Sequence, residues 1–462
     1  MKKNIYKYKK YLLLIIPMII LFFVLLGFWP GIYTYDSNNQ WEQVVSGNIT
    51  SGHPFFTTYF LLLLSKIWES QTILLIYQIL LFSTIWYYVC KEMLDEGKSY
   101  KKLLIYTIIM CFVPIISIYS ITVWKDIAYS YYLLSIIFLL YRGIKSNFKY
   151  STFELALIGL LLALIFSYRY NGMIVAILLL CFFAYLQIKN KRYINFKKSG
   201  LILIVFIIFL SIISIPKNYY LSKSEVNENK SESLSTMDGY ITWMLGAHLQ
   251  NDYVSDEDLS LLDGYIPIKE WKETYNPYLI NATNLVEDKD VDYYLDNQKE
   301  IRAIFMKYSL KHPLTIAKHY LKADALLWSP FPIGYVYQYD FKTWDHDYSF
   351  SNQESSKIPF FEKYYEKVIN ISMKKPIRII MYQPATILYL CIFFVVLLSK
   401  KIKKIWVVLI PMIFNIISLV PINLAQDLRY VYINYLTLAF IFLVFCLNYT
   451  MKDIVKIFKK GR

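Results

Sequence analysis

Residues 12–28 read LLLIIPMIILFFVLLGF, a run with no charged side chain, preceded by Lys2, Lys3, Lys7, Lys9 and Lys10 and followed by Trp29-Pro30-Gly31. At about 1.5 Å of rise per residue such a run covers most of a ~30 Å hydrocarbon core when helical. A basic flank and a long apolar stretch without an Ala-x-Ala site predict a retained span, not a cleaved signal peptide. Comparable runs recur along the chain, among them 201–215 and 405–419.

Working outward, the 462 residues are 56% hydrophobic, 18% aromatic and only 18% charged, with a mean hydropathy of +0.37. A soluble protein of this size is normally about a quarter charged. The composition excludes a secreted disulfide scaffold, a cytosolic enzyme with one anchor and, despite a net charge of +15, a nucleic-acid binder. Cys90, Cys111, Cys181, Cys391 and Cys446 all fall in apolar runs, which argues against a disulfide framework or a cysteine metal site.

Taking each apolar run as a span predicts ten helices, at 11–29, 70–90, 103–121, 127–141, 153–168, 172–188, 200–215, 378–399, 405–421 and 431–450. With the amino terminus inside, the cytoplasmic segments hold 26 Lys and Arg, whereas the short outer loops hold only Lys66, Lys125, Arg169 and Arg429. Basic residues concentrate on the cytoplasmic side of membrane proteins. Both termini are therefore expected in the cytoplasm of a cell-membrane protein, and most of the +15 is topology.

Two outer stretches interrupt the up-and-down pattern. Residues 30–69 contain the run Phe55–Trp68, too short to span and suited to a helix at the interface. Residues 216–377 form an outer domain expected to be of mixed structure, with helical spacing over 297–328, a break at His312-Pro313, and extended structure around Tyr335-Val336-Tyr337-Gln338-Tyr339. The predicted domains are thus 1–215, with spans 1–7 and the first outer loop, then 216–377, then 378–462.

The outer loops are short, yet each carries ionisable residues: Asp36 with Glu42 and His53, Lys125-Asp126, Arg169 with Asn171, and Asp427 with Arg429. Ionisable groups at the bilayer are costly unless they face a cavity or one another, so a convergent set marks a candidate site. Asp36, in Gly31-Ile-Tyr-Thr-Tyr-Asp36-Ser-Asn-Asn-Gln, reads as a carboxylate whose pKa is raised among aromatics and which serves as a general base. The alternative is a helix start, with Ser37-Asn-Asn-Gln40 as a capping box. The chain has 7 Arg against 42 Lys, yet two of the seven, Arg169 and Arg429, occupy these loops. The guanidinium fork suits phosphate, with a structural pair between Arg429 and Asp427 as the bland reading. One carboxylate and several cations on one face describe a site for a lipid phosphate beside a hydroxyl that must lose its proton.

On Asp36, His53-Pro54, Trp124-Lys125-Asp126, Arg169-Tyr-Asn-Gly172 and Asp427-Leu-Arg-Tyr430, the chain resembles the GT-C class of integral-membrane glycosyltransferases, which includes protein mannosyltransferases and lipid A aminoarabinose transferases. The resemblance implies an α-helical polytopic membrane protein of about ten transmembrane helices, GT-C-like, with a mixed extracellular domain between spans 7 and 8. It implies an inverting transfer of a sugar from a polyprenyl-phosphate carrier to a hydroxyl on a cell-surface glycopolymer, lipid or protein. Asp36 would be the base, Arg429, Arg169 and Lys125 would hold the donor phosphate, and His53, Asp126, Asn171, Asp427 and Tyr430 would contact substrate. Many members carry a second acid that binds a divalent metal; here Asp36 is followed by Ser37 and the next acid is Glu42, which favours a metal-independent reaction. The competing expectations are a transporter or flippase for a lipid-linked saccharide, a polysaccharide polymerase or ligase, and a non-catalytic surface protein.

Overall fold

The computed structural model describes residues 10–50, 52–189, 196–224, 236–284, 286–333, 356–423, 425–450 and 452–453. Among these residues the chain is helical, and its β pairing is limited to two isolated bridges, Ile32 with Thr122 and Leu279 with Ala425. The extended structure expected at 335–339 lies outside the described residues.

The first unit comprises residues 1–221, 339–418 and 428–462. Its first half runs α1 Leu12–Gly27, α2 Tyr35–Ser46, α3 Phe55–Ser65, α4 Thr72–Asp95, α5 Tyr100–Cys111, α6 Pro114–Ser120, α7 Lys125–Lys145, α8 Thr152–Tyr168, α9 Tyr170–Lys189 and α10 Phe196–Ser224. Six described helical segments are long and apolar enough to cross a membrane: α4, α7, α9, Gly200–Ser222 within α10, Ile405–Ile422 and Leu428–Asn448. The protein is a helical membrane protein.

A span expected at 103–121 is instead broken. α5 and α6 meet at an angle of 69°, because Pro114 lacks the amide a continuous helix needs and pushes Val113 into extended geometry. If the bent pair counts as one span, the long apolar set rises to seven. Three further expected spans are apolar helices of 16 or 17 residues, α1, α8 and Pro384–Ser399.

Burial orders these helices. α7 has 78% of its most apolar window buried and is the axis on which α4, α8 and Tyr432–Asn448 pack, whereas Gly200–Ser222 has 11% buried. The latter leaves Ile204, Ile207, Ile208, Ile212 and Ile215 exposed. An apolar surface this continuous is tolerated when its solvent is lipid. At one end of the bundle the charges neutralise one another, with Arg142 bonded to Glu92 at 3.0 Å and to Glu154 at 2.6 Å.

The second unit comprises residues 222–338 and 419–427. Its described helices are α11 Thr236–Leu249, α12 Asp256–Asp263, α13 Ile268–Thr274, α14 Asn281–Asn284, α15 Val291–Asp296, α16 Gln298–Lys311, α17 Pro313–Ala323 and α18 Ala325–Trp328. The break expected at His312-Pro313 separates α16 from α17. Leu245, Leu262, Tyr265, Trp271, Tyr294 and Ile301 form its core, and the buried Asp238 is held by Arg302 at 2.8 Å and the Tyr294 hydroxyl at 2.6 Å. Near the end of the stretch 216–377 that the sequence reading assigned to the outer domain, α19, Pro359–Ser372, packs beside α1, with Phe361 stacked on Phe23.

Candidate functional site

At the end of the first unit opposite the Arg142 cluster, five short connections come together. After α1 the chain reaches Gly31, at φ +122, where a Cβ would lie 2.0 Å from Leu75 Cδ1; only glycine fits. The next residue pairs with the α6–α7 connection: Ile32 N donates to the Ile121 carbonyl at 3.0 Å and Val123 N to the Ile32 carbonyl at 2.9 Å. This bridge fixes the start of α2 beside the start of α7.

The sequence pattern placed a capping box at Ser37-x-x-Gln40. The structure places it one turn earlier: Thr34 is the N-cap, Ser37 N donates to Thr34 Oγ1 at 3.3 Å, and Thr34 N donates to Ser37 Oγ at 2.6 Å. Gln40 instead ties α2 to α3 by donating to Thr57 and Thr58 at 2.9 and 3.1 Å. Asp36 therefore stands in the first helical turn, where the helix dipole favours a negative charge.

Three basic side chains surround that carboxylate. Arg429 Nη1 lies 2.7 Å from Asp36 Oδ2 and Lys125 Nζ 3.9 Å from it. Lys125 Nζ also donates to His53 Nδ1 at 3.0 Å. The Arg429 guanidinium lies 5.1 Å from the centroid of the Trp124 ring and 5.2 Å from that of Tyr430, and Trp124 Nε1 donates to Thr34 Oγ1 at 3.0 Å. The cap, the tryptophan and the arginine are thus one connected support for Asp36.

The electrostatics reverse the expected shift. Burial alone pushes the Asp36 carboxyl up, but Arg429, Lys125 and His53 together outweigh it and hold it well below the ordinary carboxylate range. His53 moves down to about 4, from burial first and Lys125 second. At neutral pH the site holds an ionised Asp36, a neutral His53 accepting from Lys125 at Nδ1, and two cations.

Arg169 lies one step further out. It is the single extended residue joining α8 to α9 and forms an ion pair with Asp126, which is 1% exposed. Its guanidinium lies 4.8 Å from the Tyr430 centroid, so one ring packs against both arginines. Asn171 points into the bundle: its Nδ2 donates to Asn415 Oδ1 at 3.2 Å and Ser418 Oγ at 3.0 Å, and Asn415 also takes the Tyr129 hydroxyl at 3.0 Å. Gly172 permits this close packing, since a Cβ there would lie 2.0 Å from the Ile165 carbonyl.

Asp36, His53, Lys125 and Arg429 are therefore in direct contact, Asp126, Arg169 and Tyr430 support them, and Asn171 belongs to a buried polar cluster beneath. Asp427 falls in the second unit, where its amide donates to the Ala425 carbonyl at 2.8 Å. Arg429 pairs with Asp36 at 2.7 Å. Glu42 is exposed on α2. Sequence reasoning missed Thr34 and Asn415. Thr34 was legible only as a favoured cap residue, and Asn415 as an amide inside an apolar run.

Among the described residues no three His, Cys, Asp or Glu side chains gather to hold a metal ion. The arrangement can place a negative group against two cations and a carboxylate at the boundary of an apolar bundle. Compared with protein families, curated proteins and solved structures, the chain matches none of them.

Proposed function

We propose that the protein is a membrane glycosyltransferase that moves a sugar from a polyprenyl-phosphate carrier to a hydroxyl acceptor at the outer leaflet, on a cell-surface glycopolymer, lipid or protein. The proposal includes ten spans in a GT-C-like arrangement, the Asp36 cluster outside and both termini in the cytoplasm of a cell-membrane protein. The observation that carries it is the contact of Asp36 with Arg429 and Lys125 at the mouth of an apolar bundle. A lipid-linked phosphate brings its charge to that boundary while its tail stays in the bilayer.

In this reading the acceptor oxygen attacks the anomeric carbon as the bond from that carbon to the carrier phosphate oxygen breaks. The acceptor proton goes to Asp36, the leaving phosphate keeps the electron pair, and the configuration inverts. Asp36 pressed against two cations is ionised but a weak base. A donor phosphate that draws Arg429 and Lys125 toward itself relieves the carboxylate and raises its basicity, so donor binding prepares the base. Arg169, occupied by Asp126, positions Tyr430 and the start of α7 in this mechanism; the donor phosphate rests on Arg429 and Lys125.

The test is sugar transfer by the full chain in proteoliposomes, from polyprenyl-phosphate hexoses to envelope acceptors. Asp36→Asn should lower turnover by about a hundredfold or more with the protein still folded, and Arg429→Ala should raise the KM for donor. Full turnover in Asp36→Asn removes the base and the mechanism with it.

A further inference from the structure

The second unit holds a cavity of about 730 Å³, a size suited to a small ligand. Among the described residues its charged lining is of one sign: Lys311, Lys318 and Lys322 border it, and no Asp or Glu does. All three lysines are exposed, and the ion pairs formed by the described residues of this unit use other partners. Lys318 and Lys322 stand four residues apart on α17, a spacing at which like charges repel when no anion lies between them. Thr315 and His319 share that face, so one side of α17 is turned to the cavity.

His319 supplies a second, independent observation. It lines the cavity yet is 2% exposed, its Nδ1 lies 2.8 Å from the Tyr275 hydroxyl, and its Nε2 has no hydrogen-bond partner among the described residues. Burial, then His248 and Lys322, push this imidazole down to about 4, so it is neutral at pH 7. In either tautomer Nε2 is a buried polar atom without a partner among the described residues, and such groups are rare without a reason; assigning Nδ1 as the acceptor from Tyr275 puts the proton on Nε2 as a donor. Another wall is flat: the His312 ring stacks on Tyr253 at 3.9 Å. Beside it Asn251 donates its Nδ2 to the Ala247 carbonyl at 2.7 Å, which leaves its Oδ1 as an acceptor.

We propose that this cavity binds a phosphate-bearing polyol or sugar: the three lysines take the phosphate charge, His319 Nε2–H donates to a phosphate oxygen, and Tyr253, His312 and Asn251 receive the carbon skeleton and its hydroxyls. The site shares no residue with the Asp36 cluster and needs no reaction to occur. Such a ligand is available as a soluble or polymer-borne phosphate or as a lipid headgroup.

The experiment is calorimetric titration of the full chain, in nanodiscs of phosphatidylcholine, with sn-glycerol 3-phosphate as probe and glycerol as the uncharged control. Saturable binding of the probe, absent for glycerol, is expected. The paired change Lys318→Glu and Lys322→Glu should weaken it at least about tenfold because these exposed positions remove attraction without disturbing the core. His319→Gln should weaken it as well. Lys269→Glu, at an exposed lysine outside the lining, and Asp36→Asn should leave it unchanged, the latter separating this site from the proposed transfer chemistry. Competition by phosphatidylglycerol built into the nanodisc assigns a headgroup as the source; binding that ignores it assigns a soluble or polymer phosphate. Equal binding of glycerol, no saturable binding of the probe, or an unchanged Kd in the paired lysine variant overturns the proposal.

Discussion

Asp36 is pulled in two directions, and which pull prevails sets how the site responds to pH. Burial favours the neutral acid, while Arg429, Lys125 and His53 favour the carboxylate and win. A group whose folded pKa is depressed contributes stability that is complete above its unfolded value and is lost only as pH falls through the folded one. Asp36 itself should therefore contribute no acid limb at the usual carboxylate range, and the limb expected near pH 4 reports His53, whose protonation adds a third cation. Removing Arg429 takes away the strongest opposing charge, so Arg429→Ala should move the Asp36 limb up by at least about one unit. The profile of kcat/KM against pH checks this, and an unmoved limb would show that Arg429 does not govern Asp36. The participants in this balance were legible: arginine is scarce in a lysine-rich chain, yet Arg429 sits in a short loop beside a span. The sign was not, because it depends on a 2.7 Å approach between residues 393 positions apart.

At the scale of elements, the position of Asp36 depends on how α2 begins. Thr34 caps the helix and also receives the Trp124 indole at 3.0 Å, so one hydroxyl links the start of α2 to the ring over which Arg429 rests. Loss of an N-cap side chain typically costs about 1 kcal/mol. Thr34→Ala should lower the thermal midpoint by only about one degree in a chain of this length and reduce transfer more than that loss of folded protein explains, whereas Thr34→Ser, which keeps the hydroxyl, should restore both. Thermal unfolding and turnover measured on the same preparations decide it; equal activity in Thr34→Ala and wild type would mean the cap does not position Asp36. The long apolar helices were readable because lipid demands uninterrupted runs. Boundaries were harder: Ser37-x-x-Gln40 satisfies the capping-box pattern while Thr34 offers only a preferred cap residue, and tertiary bonds from Gln40 to Thr57 and Thr58 take Gln40 out of the cap. Pro114 carried the signal for the broken span, but hydropathy averaged over the run conceals a bend.

For the whole molecule the open variable is the direction in which the bundle faces, since the proposed donor and acceptor lie outside the cell. Lys and Arg cluster in the segments at 91–102 and 142–149, at the opposite ends of the helices from Asp36 and Arg429. Positively charged loops are generally retained on the cytoplasmic side, and the proposed orientation, with the Asp36 end outward, rests on that tendency. The five cysteines are free thiols, so a cysteine-free background is obtained by substitution without breaking a bridge. In that background Asn48→Cys, exposed after α2, should react with a membrane-impermeant maleimide in intact cells, and Asp95→Cys, exposed at the far end of α4, only after permeabilisation. Each cysteine should leave folding intact, because neither side chain is buried. A reversed labelling pattern would put the cluster at the cytoplasmic face, where the positive-inside bias gives no reason for it to lie, and would set the carboxylate and its two cations against the wrong leaflet for an extracellular acceptor.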